Sequence, residues 1–501
     1  MPAESNMLLA FIFIPLLTLL CLLAVKDLNR IRWISAAGMG LQLLNAIHLL
    51  VQFLIERSSG NLDPVLFEIQ EEWYTAIRIS LHFGVDGISV VMVVLTAIVT
   101  FAGIFASWTV SYWTKEFYFS LILLSMASFG FFISLDLFTL FFFYELAVIP
   151  MYLLIGIWGS GTKEYAAMKL TLMLMGGSAL LMVGLLGLYF YSDPTGTNYT
   201  FDMLKIASVK IPIDAQRFFF PLIFVGFGII GALFPLHTWS PDGHSAAPTA
   251  ASMVHAGVLM KLGGYGCLKV ATMLLPEAAN EMSWIFIVLA TAGVIYGAYT
   301  TIIQTDLKYI NAYSSVSHCA LVLLGICMLN RTAMTGAVLQ MFSHGVMTAL
   351  FFSLIGMIYE RSHTRDITRM GGLLKVIPYL GTVYIIAGLC SLGLPGFSGF
   401  VAEITVFIGA FQNDDMFHRV ATIIATTSIV VTAVYILRVV GIFLLGPVAH
   451  EEYHSLKDAR WFERVATVTL LSAIVIVGIY PFWFSDMIYE SLGGVVMNLG
   501  R

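Results

Sequence analysis

Leu137-Phe-Thr-Leu-Phe-Phe-Phe-Tyr144-Glu145-Leu-Ala-Val-Ile-Pro150 is an apolar run with one carboxylate in its middle. The run extends over about 136–157. A hydrocarbon core ~30 Å thick is crossed by about 20 helical residues, so this stretch is long enough to span a bilayer. A charge at that depth costs ~3 kcal/mol on insertion scales, so a chain that carries one pairs it or uses it.

The same pattern recurs along the chain. Apolar runs of spanning length cover roughly 7–25, 32–54, 84–107, 116–134, 136–157, 168–191, 218–236, 249–272, 284–303, 311–329, 333–357, 378–413, 418–444 and 464–488. The 501 residues are 59% hydrophobic and 11% charged, whereas soluble domains are about 25% charged. The expectation is an all-α polytopic membrane protein of about 14 transmembrane helices, one integral membrane domain over 1–501. The first run follows Glu4 rather than a basic segment and lacks a small-residue cleavage site, so it reads as a retained helix.

Loop charge sets the expected orientation. Loops after odd-numbered helices carry more Lys and Arg (Lys26, Arg30, Lys163, Lys308, Arg361, Arg365 and others) than those after even-numbered helices (Arg57, Arg78, Lys205, Arg419, Arg501 among them). The odd helices then exit into the cytoplasm of a bacterial plasma (inner) membrane protein, with both termini outside. No basic block suggests nucleic acid. Cys21, Cys267, Cys319, Cys327 and Cys390 lie in apolar runs without a CxxC, which argues against disulfide or iron–sulfur chemistry. The outer loop 55–83 alternates in part and could form a short hairpin; the loop 192–217 is polar enough to fold on the surface.

Two helices look interrupted, helix 7 at Phe234-Pro235-Leu236-His237 and helix 12 at Leu394-Pro395-Gly396-Phe397-Ser398-Gly399. Proline removes a helix hydrogen bond, and backbone freed at membrane depth needs partners. Broken helices at matching places of two halves point to an ion path. Ionisable groups gather in the same regions: Glu145 in helix 5, Lys261 in helix 8, His318 in helix 10, His344 in helix 11, and Glu403 just past the helix 12 break. A buried carboxylate and a buried lysine both move toward neutrality and exchange protons, and each responds to the charge of the next. Gly226-Phe-Gly228-Ile-Ile-Gly231 satisfies GxGxxG, but it lies within a helix without a strand before it, so it reads as helix packing. His237 and His244 flank Pro241-Asp242 in a cytoplasmic loop and read as a hydrogen-bonded turn rather than metal ligands.

Several stretches carry a resemblance: Phe141–Tyr152, Phe234–His244, Ala247-Pro-Thr-Ala250, Ala256–Lys261, Ala312–His318 and Tyr359-Glu-Arg-Ser-His-Thr-Arg365. Together they resemble the antiporter-like subunits of complex I, the proton-pumping NADH:quinone oxidoreductase. Within that family the 359–365 run and Glu403 resemble the bacterial subunit M type, equivalent to mitochondrial subunit 4. The resemblance implies a 14-helix fold with two inverted five-helix repeats. That places helices 1–3 at about 7–107, repeat one at about 116–272, repeat two at about 284–444 and helix 14 at about 464–488. It implies a proton path through Glu145, Lys261, Glu403, His318, His344 and Lys169. It also implies no cofactor in this chain, with NADH, FMN, iron–sulfur clusters and quinone in partner subunits. The partners implied are other complex I membrane subunits, especially neighbouring antiporter-like ones, within the lipid bilayer. A Mrp-type cation/proton antiporter subunit, a membrane-bound hydrogenase subunit and a non-pumping structural spacer are the alternatives. There is one departure. Where the family has a lysine on helix 7, this chain has Ile230, so Glu145 lacks its usual ion-pair partner.

Overall fold

The computed structural model describes residues 6–499; Glu4 and Arg501, used above for orientation, lie outside them. Among the described residues, twelve helices are long and apolar enough to cross a membrane. The central ones are the most enclosed. Arg331–Ser362, Leu307–Cys327 and Gly87–Ala106 are almost wholly buried, whereas Met7–Ala24 and Leu28–Ser58 present broad apolar faces outward. A helix that is hydrophobic all round belongs in the core of such a bundle.

The remaining apolar runs are not plain helices. The run 249–272 is helical but alternates α and π turns: Thr249–Val254, a π turn His255–Leu259, Met260–Gly266, and a second π turn Cys267–Thr272. The run 378–413 divides into Pro378–Ser391 and Ser398–Phe411, with the Leu394-Pro395-Gly396 break between them. The other break begins earlier than the proline suggests. The helix Ile213–Ile230 stops four residues before Phe234, at an Ala232 with φ +57°, and a short helix Trp239–Ala246 follows. The last run, expected as one helix over 464–488, is two: Trp461–Ile479 and Phe482–Ser491. Pro481 separates them, because a proline cannot continue the ladder of the turn before it. The run 84–107 begins in a strand, and its helix starts at Gly87 behind the N-cap carboxylate of Asp86, which accepts from the Ser89 N–H.

The hairpin is present. Strand β1, Leu66–Tyr74, pairs antiparallel with β2, Ile79–Val85, with Ile69 opposite Phe83 and Glu71 opposite Leu81. It is stitched to two other loops on the same side of the bundle. The Leu135 N–H donates to His82 O at 2.8 Å, and Met203 N–H to Leu135 O at 2.9 Å. Asp136, fully buried, caps the helix Leu137–Trp158 and also accepts from Ser80 N–H at 3.2 Å. His82 lies beneath the hairpin, with Nε2 2.7 Å from Glu68 Oε1 and Nδ1 3.6 Å from Asp202 Oδ2. Burial opposes its protonation, but the carboxylates of Asp202 and Glu68 outweigh that and raise it above its ordinary 6.5. Asp202, in turn, is lowered to about 2 despite burial, by His82 and Lys205. The stabilisation from a raised histidine is complete below the unfolded value and is lost as pH climbs through the folded one. Amide exchange of β2, corrected for intrinsic rate, should therefore accelerate as pH climbs from the ordinary histidine value of 6.5 through the raised one. His82→Asn should exchange with no such step; a step of equal size in the variant would assign it elsewhere.

On the opposite side, the 359–365 motif has a structural task. Arg361 forks onto Glu463, Nη1 to Oε1 at 2.9 Å and Nη2 to Oε2 at 2.7 Å, and Glu463 is 2% exposed. Arg361→Met would leave the buried carboxylate with Arg460 alone, whose Nη2 lies 2.8 Å from Oε1, at about 1–3 kcal/mol for the two hydrogen bonds lost. A drop in thermal midpoint measured in detergent is the check, with Glu463→Gln in the same background recovering part of it.

Candidate functional site

Four of the six residues expected from the sequence meet in one line across the middle of the bundle. Lys261 comes from the α segment between the two π turns, His318 from Leu307–Cys327, His344 from Arg331–Ser362 and Glu403 from Ser398–Phe411. Lys261 Nζ donates to His344 Nδ1 at 2.9 Å and to the Ala256 carbonyl. The His344 and His318 rings stack at 5.2 Å. His318 Nδ1 accepts from Gln340 Nε2 at 3.0 Å and lies 3.4 Å from Glu403 Oε1. Lys261, His344, His318 and Glu403 are all under a tenth exposed.

The line continues on the other side of Lys261. His255, in the first π turn, packs against the His244 ring at 4.1 Å, tilted by 40°, and stacks on Trp239 at 5.2 Å. His244 was expected in a surface turn. It is instead fully buried, because the short helix Trp239–Ala246 folds back into the bundle. His255 and Gln340 were not foreseen: a neutral histidine and an amide barely interrupt an apolar run, and a scan for charge passes over them. Buried nitrogens of His255, His318 and His344 have no hydrogen-bond partner among the described residues. Such orphans each cost about 1–3 kcal/mol and are kept where function uses them.

The two helix breaks both abut this line. Gly231, at the first, lines a small cavity of about 10 Å³, room for about one water, together with Lys261, Cys319 and Met341. At the second, Gly393 has φ +64°, and a Cβ there would sit 2.7 Å from Glu403 Oε2. Glu403 opens onto a further small cavity of about 10 Å³ lined by Ser317, Ser391, Ser428 and Thr432. Gly393→Ala should therefore displace the carboxylate. Gly396→Ala, at φ +97° with nothing within 4 Å, is the control for backbone strain alone. Proton transport should fall for the first and not for the second; equal losses would reduce the effect to strain.

Lys169 and Glu145 stand apart. Lys169, half-buried, pairs with Asp242 at 2.7 Å, and Tyr309 donates to the same carboxylate at 3.3 Å. Glu145 has no hydrogen bond or ion pair among the described residues, and its Oε1 is buried without a partner. Ile230, where a lysine was expected, is fully buried at the end of its helix. The glycine-rich GxGxxG stretch packs helices: a Cβ on Gly226 would meet Leu181 at 2.7 Å, and one on Gly263 would meet Gly231 N at 2.3 Å.

Interrupted helices that bring lysine, histidine and carboxylate to one buried line define a membrane subunit of the antiporter-like class. Residues 134–432 match the family model described as NADH:quinone oxidoreductase/Mrp antiporter, transmembrane. The chain is 35% identical to NAD(P)H-quinone oxidoreductase chain 4-2 of Synechocystis sp., over 95% of this chain and 88% of that one. It is 33% identical to NADH-quinone oxidoreductase subunit M of Rickettsia prowazekii, over 97% and 98%. Among solved structures, a chain of respiratory complex I from Thermus thermophilus superposes with a TM-score of 0.88 at 24% identity, covering 99% of this chain and 100% of that one. A chain of the Mrp complex from Dietzia sp. superposes at 0.83 and 20%, covering 100% and 98%. The chain belongs to the NADH:quinone oxidoreductase/Mrp antiporter family, and its curated relatives include subunit M of NADH-quinone oxidoreductase.

Proposed function

We propose that this chain is a proton-translocating subunit M of an NADH:quinone oxidoreductase, set in a bacterial plasma membrane with both termini outside. The observation that carries it is the unbroken sequence Lys261, His344, His318, Glu403, each at van der Waals or hydrogen-bond distance from the next. Electron transfer in partner subunits would change the charge at one end. Lys261 would hold or release a proton to His344 Nδ1, and the histidines would pass it toward Glu403. A neutral imidazole donates from one nitrogen and accepts at the other, which suits a relay. In this reading Lys169, with Asp242, serves the mouth on the side opposite the hairpin. Glu145, lacking a cation, is a minor participant, and Glu145→Gln lowers pumping less than changes at Lys261 or Glu403. Chemistry on NADH, FMN, iron–sulfur clusters and quinone is assigned to partners.

A purely structural spacer would gain stability from replacing these buried polar groups, which argues against that reading. The test is to purify the tagged chain from native membranes in mild detergent and assay NADH:quinone reduction alongside subunit mass spectrometry. Co-purification with an NADH-oxidising, iron–sulfur-containing assembly supports the proposal. Recovery with small membrane subunits only and no NADH oxidation moves the assignment to the Mrp-type antiporters.

A further inference from the structure

One buried ion pair has no part in the relay just described. Lys269 Nζ lies 2.5 Å from Asp86 Oδ2, and both side chains are under a tenth exposed. Asp86 follows β2 directly, so the pair sits at the hairpin end of the bundle. Lys269 lies in the second π turn, two helical turns beyond Lys261. Between them is Tyr265, whose hydroxyl is 2.9 Å from Ser89 Oγ and donates to Phe132 O at 3.2 Å. Ser89 in turn donates its N–H to Asp86 Oδ1 at 2.9 Å. Lys261, Tyr265 and Lys269 are spaced four residues apart and share a face. Groups that bear exchangeable protons thus run from Tyr265, four residues along the helix from the central lysine, to the first turn of the helix Gly87–Ala106.

A buried pair of this kind is weak support for a fold, since apolar residues of similar volume often serve stability as well or better. Placement at the end of a polar run, and in a π turn of the sort common at functional sites, points to a different use. We propose that Tyr265, Ser89, Asp86 and Lys269 form a second proton branch, joining Lys261 to the hairpin face without passing through His318 and Glu403. The inference rests on the proton-translocating reading above.

The transfer balances. Lys261 swings its flexible stem from His344 toward Tyr265, one turn away, and gives up one proton to become a neutral amine. The Tyr265 oxygen takes that proton and passes its own to Ser89 Oγ, and Ser89 passes its own to the Asp86 carboxylate. A cation and an anion become two neutral groups. Lys269 is left without a counter-ion beside a neutral acid, and its charge favours release of the Asp86 proton to the hairpin side. Lys261 is therefore a fork, facing His344 in one position and Tyr265 in the other.

The assembled complex in sealed vesicles tests this, with proton uptake measured per NADH oxidised and thermal midpoint measured in parallel. Asp86→Asn with Lys269→Gln keeps a hydrogen bond but no charge and no acceptor. The branch predicts a complex that assembles with its midpoint unchanged, and pumping reduced roughly twofold as one of two routes closes. Tyr265→Phe, which removes one oxygen, should do the same and decides the matter if the amide pair does not assemble. Wild-type pumping in Tyr265→Phe, or in an assembled amide-pair complex, while Lys261→Met has lost its pumping, reduces the ion pair to a clamp and overturns the branch. Wild-type pumping in Lys261→Met as well would overturn the translocation reading itself.

Discussion

Replacing Lys261 with methionine is expected to abolish proton pumping while leaving NADH oxidation in an uncoupled, detergent-solubilised complex largely intact. Lys261 is 1% exposed and is the one cation on the central line, bonded to His344 Nδ1 and the Ala256 carbonyl. Methionine matches its length and apolar stem but carries no proton. A positioned acid–base group is worth on the order of 10²-fold or more, so the loss should lie well beyond experimental scatter. The fold should survive, because the change leaves two acceptors unpaired at about 1–3 kcal/mol each while removing a buried charge. The measurement is the quench of a pH-sensitive dye in inverted vesicles, normalised to NADH turnover. Pumping per NADH equal to wild type would remove Lys261 from the path and, with it, the relay.

Glu403→Gln should also lower pumping, by less and for a different reason. The glutamine amide has the shape of the carboxyl and can still meet His318 Nδ1, 3.4 Å from Oε1 in the native chain. Stability and assembly should therefore be unchanged. An amide cannot take a proton from His318 and hand it to the cavity lined by Ser391, Ser428 and Thr432. Pumping should drop by about twofold, the share of the route that Glu403 closes, and Glu403→Asp, which restores the acid on a shorter stem, should recover part of it. If glutamine pumps as well as glutamate, protons leave His318 by another route. The two variants also separate from each other: Lys261→Met empties both routes proposed here, whereas Glu403→Gln leaves the Tyr265–Asp86 branch open.

Much of the site was legible because charge in an apolar run is conspicuous. Lys261 and Glu403 stand out against their neighbours at any window length, and the proline-glycine break before Glu403 marks itself. Less visible were the groups whose signal is weak. His255 is a neutral ring in an apolar stretch, and Gln340 an uncharged amide. Asp86 and Lys269 were also missed as a pair: each is an unremarkable residue near a helix end, 183 positions apart, and nothing local says that they meet. A proline does not always mark the breaking point. The helix Ile213–Ile230 ends before Phe234-Pro235, since the backbone leaves the helix at Ala232 to let the following segment turn inward. That turn is also what buries His244.

The amino-acid sequence by itself determined that this chain lives in a membrane, that it is helical, which family it resembles, and which charged residues the bilayer makes too costly to be incidental. The resemblance rests on short motifs such as 359–365; the other conclusions follow from hydropathy and desolvation, which act on each segment alone. Only the tertiary structure decided that Lys261, His344, His318 and Glu403 form one line and that Lys269 reaches Asp86. These depend on which faces of distant helices oppose one another. Two π turns and two helix breaks shift those faces by fractions of a turn, and no period in the sequence records the shift.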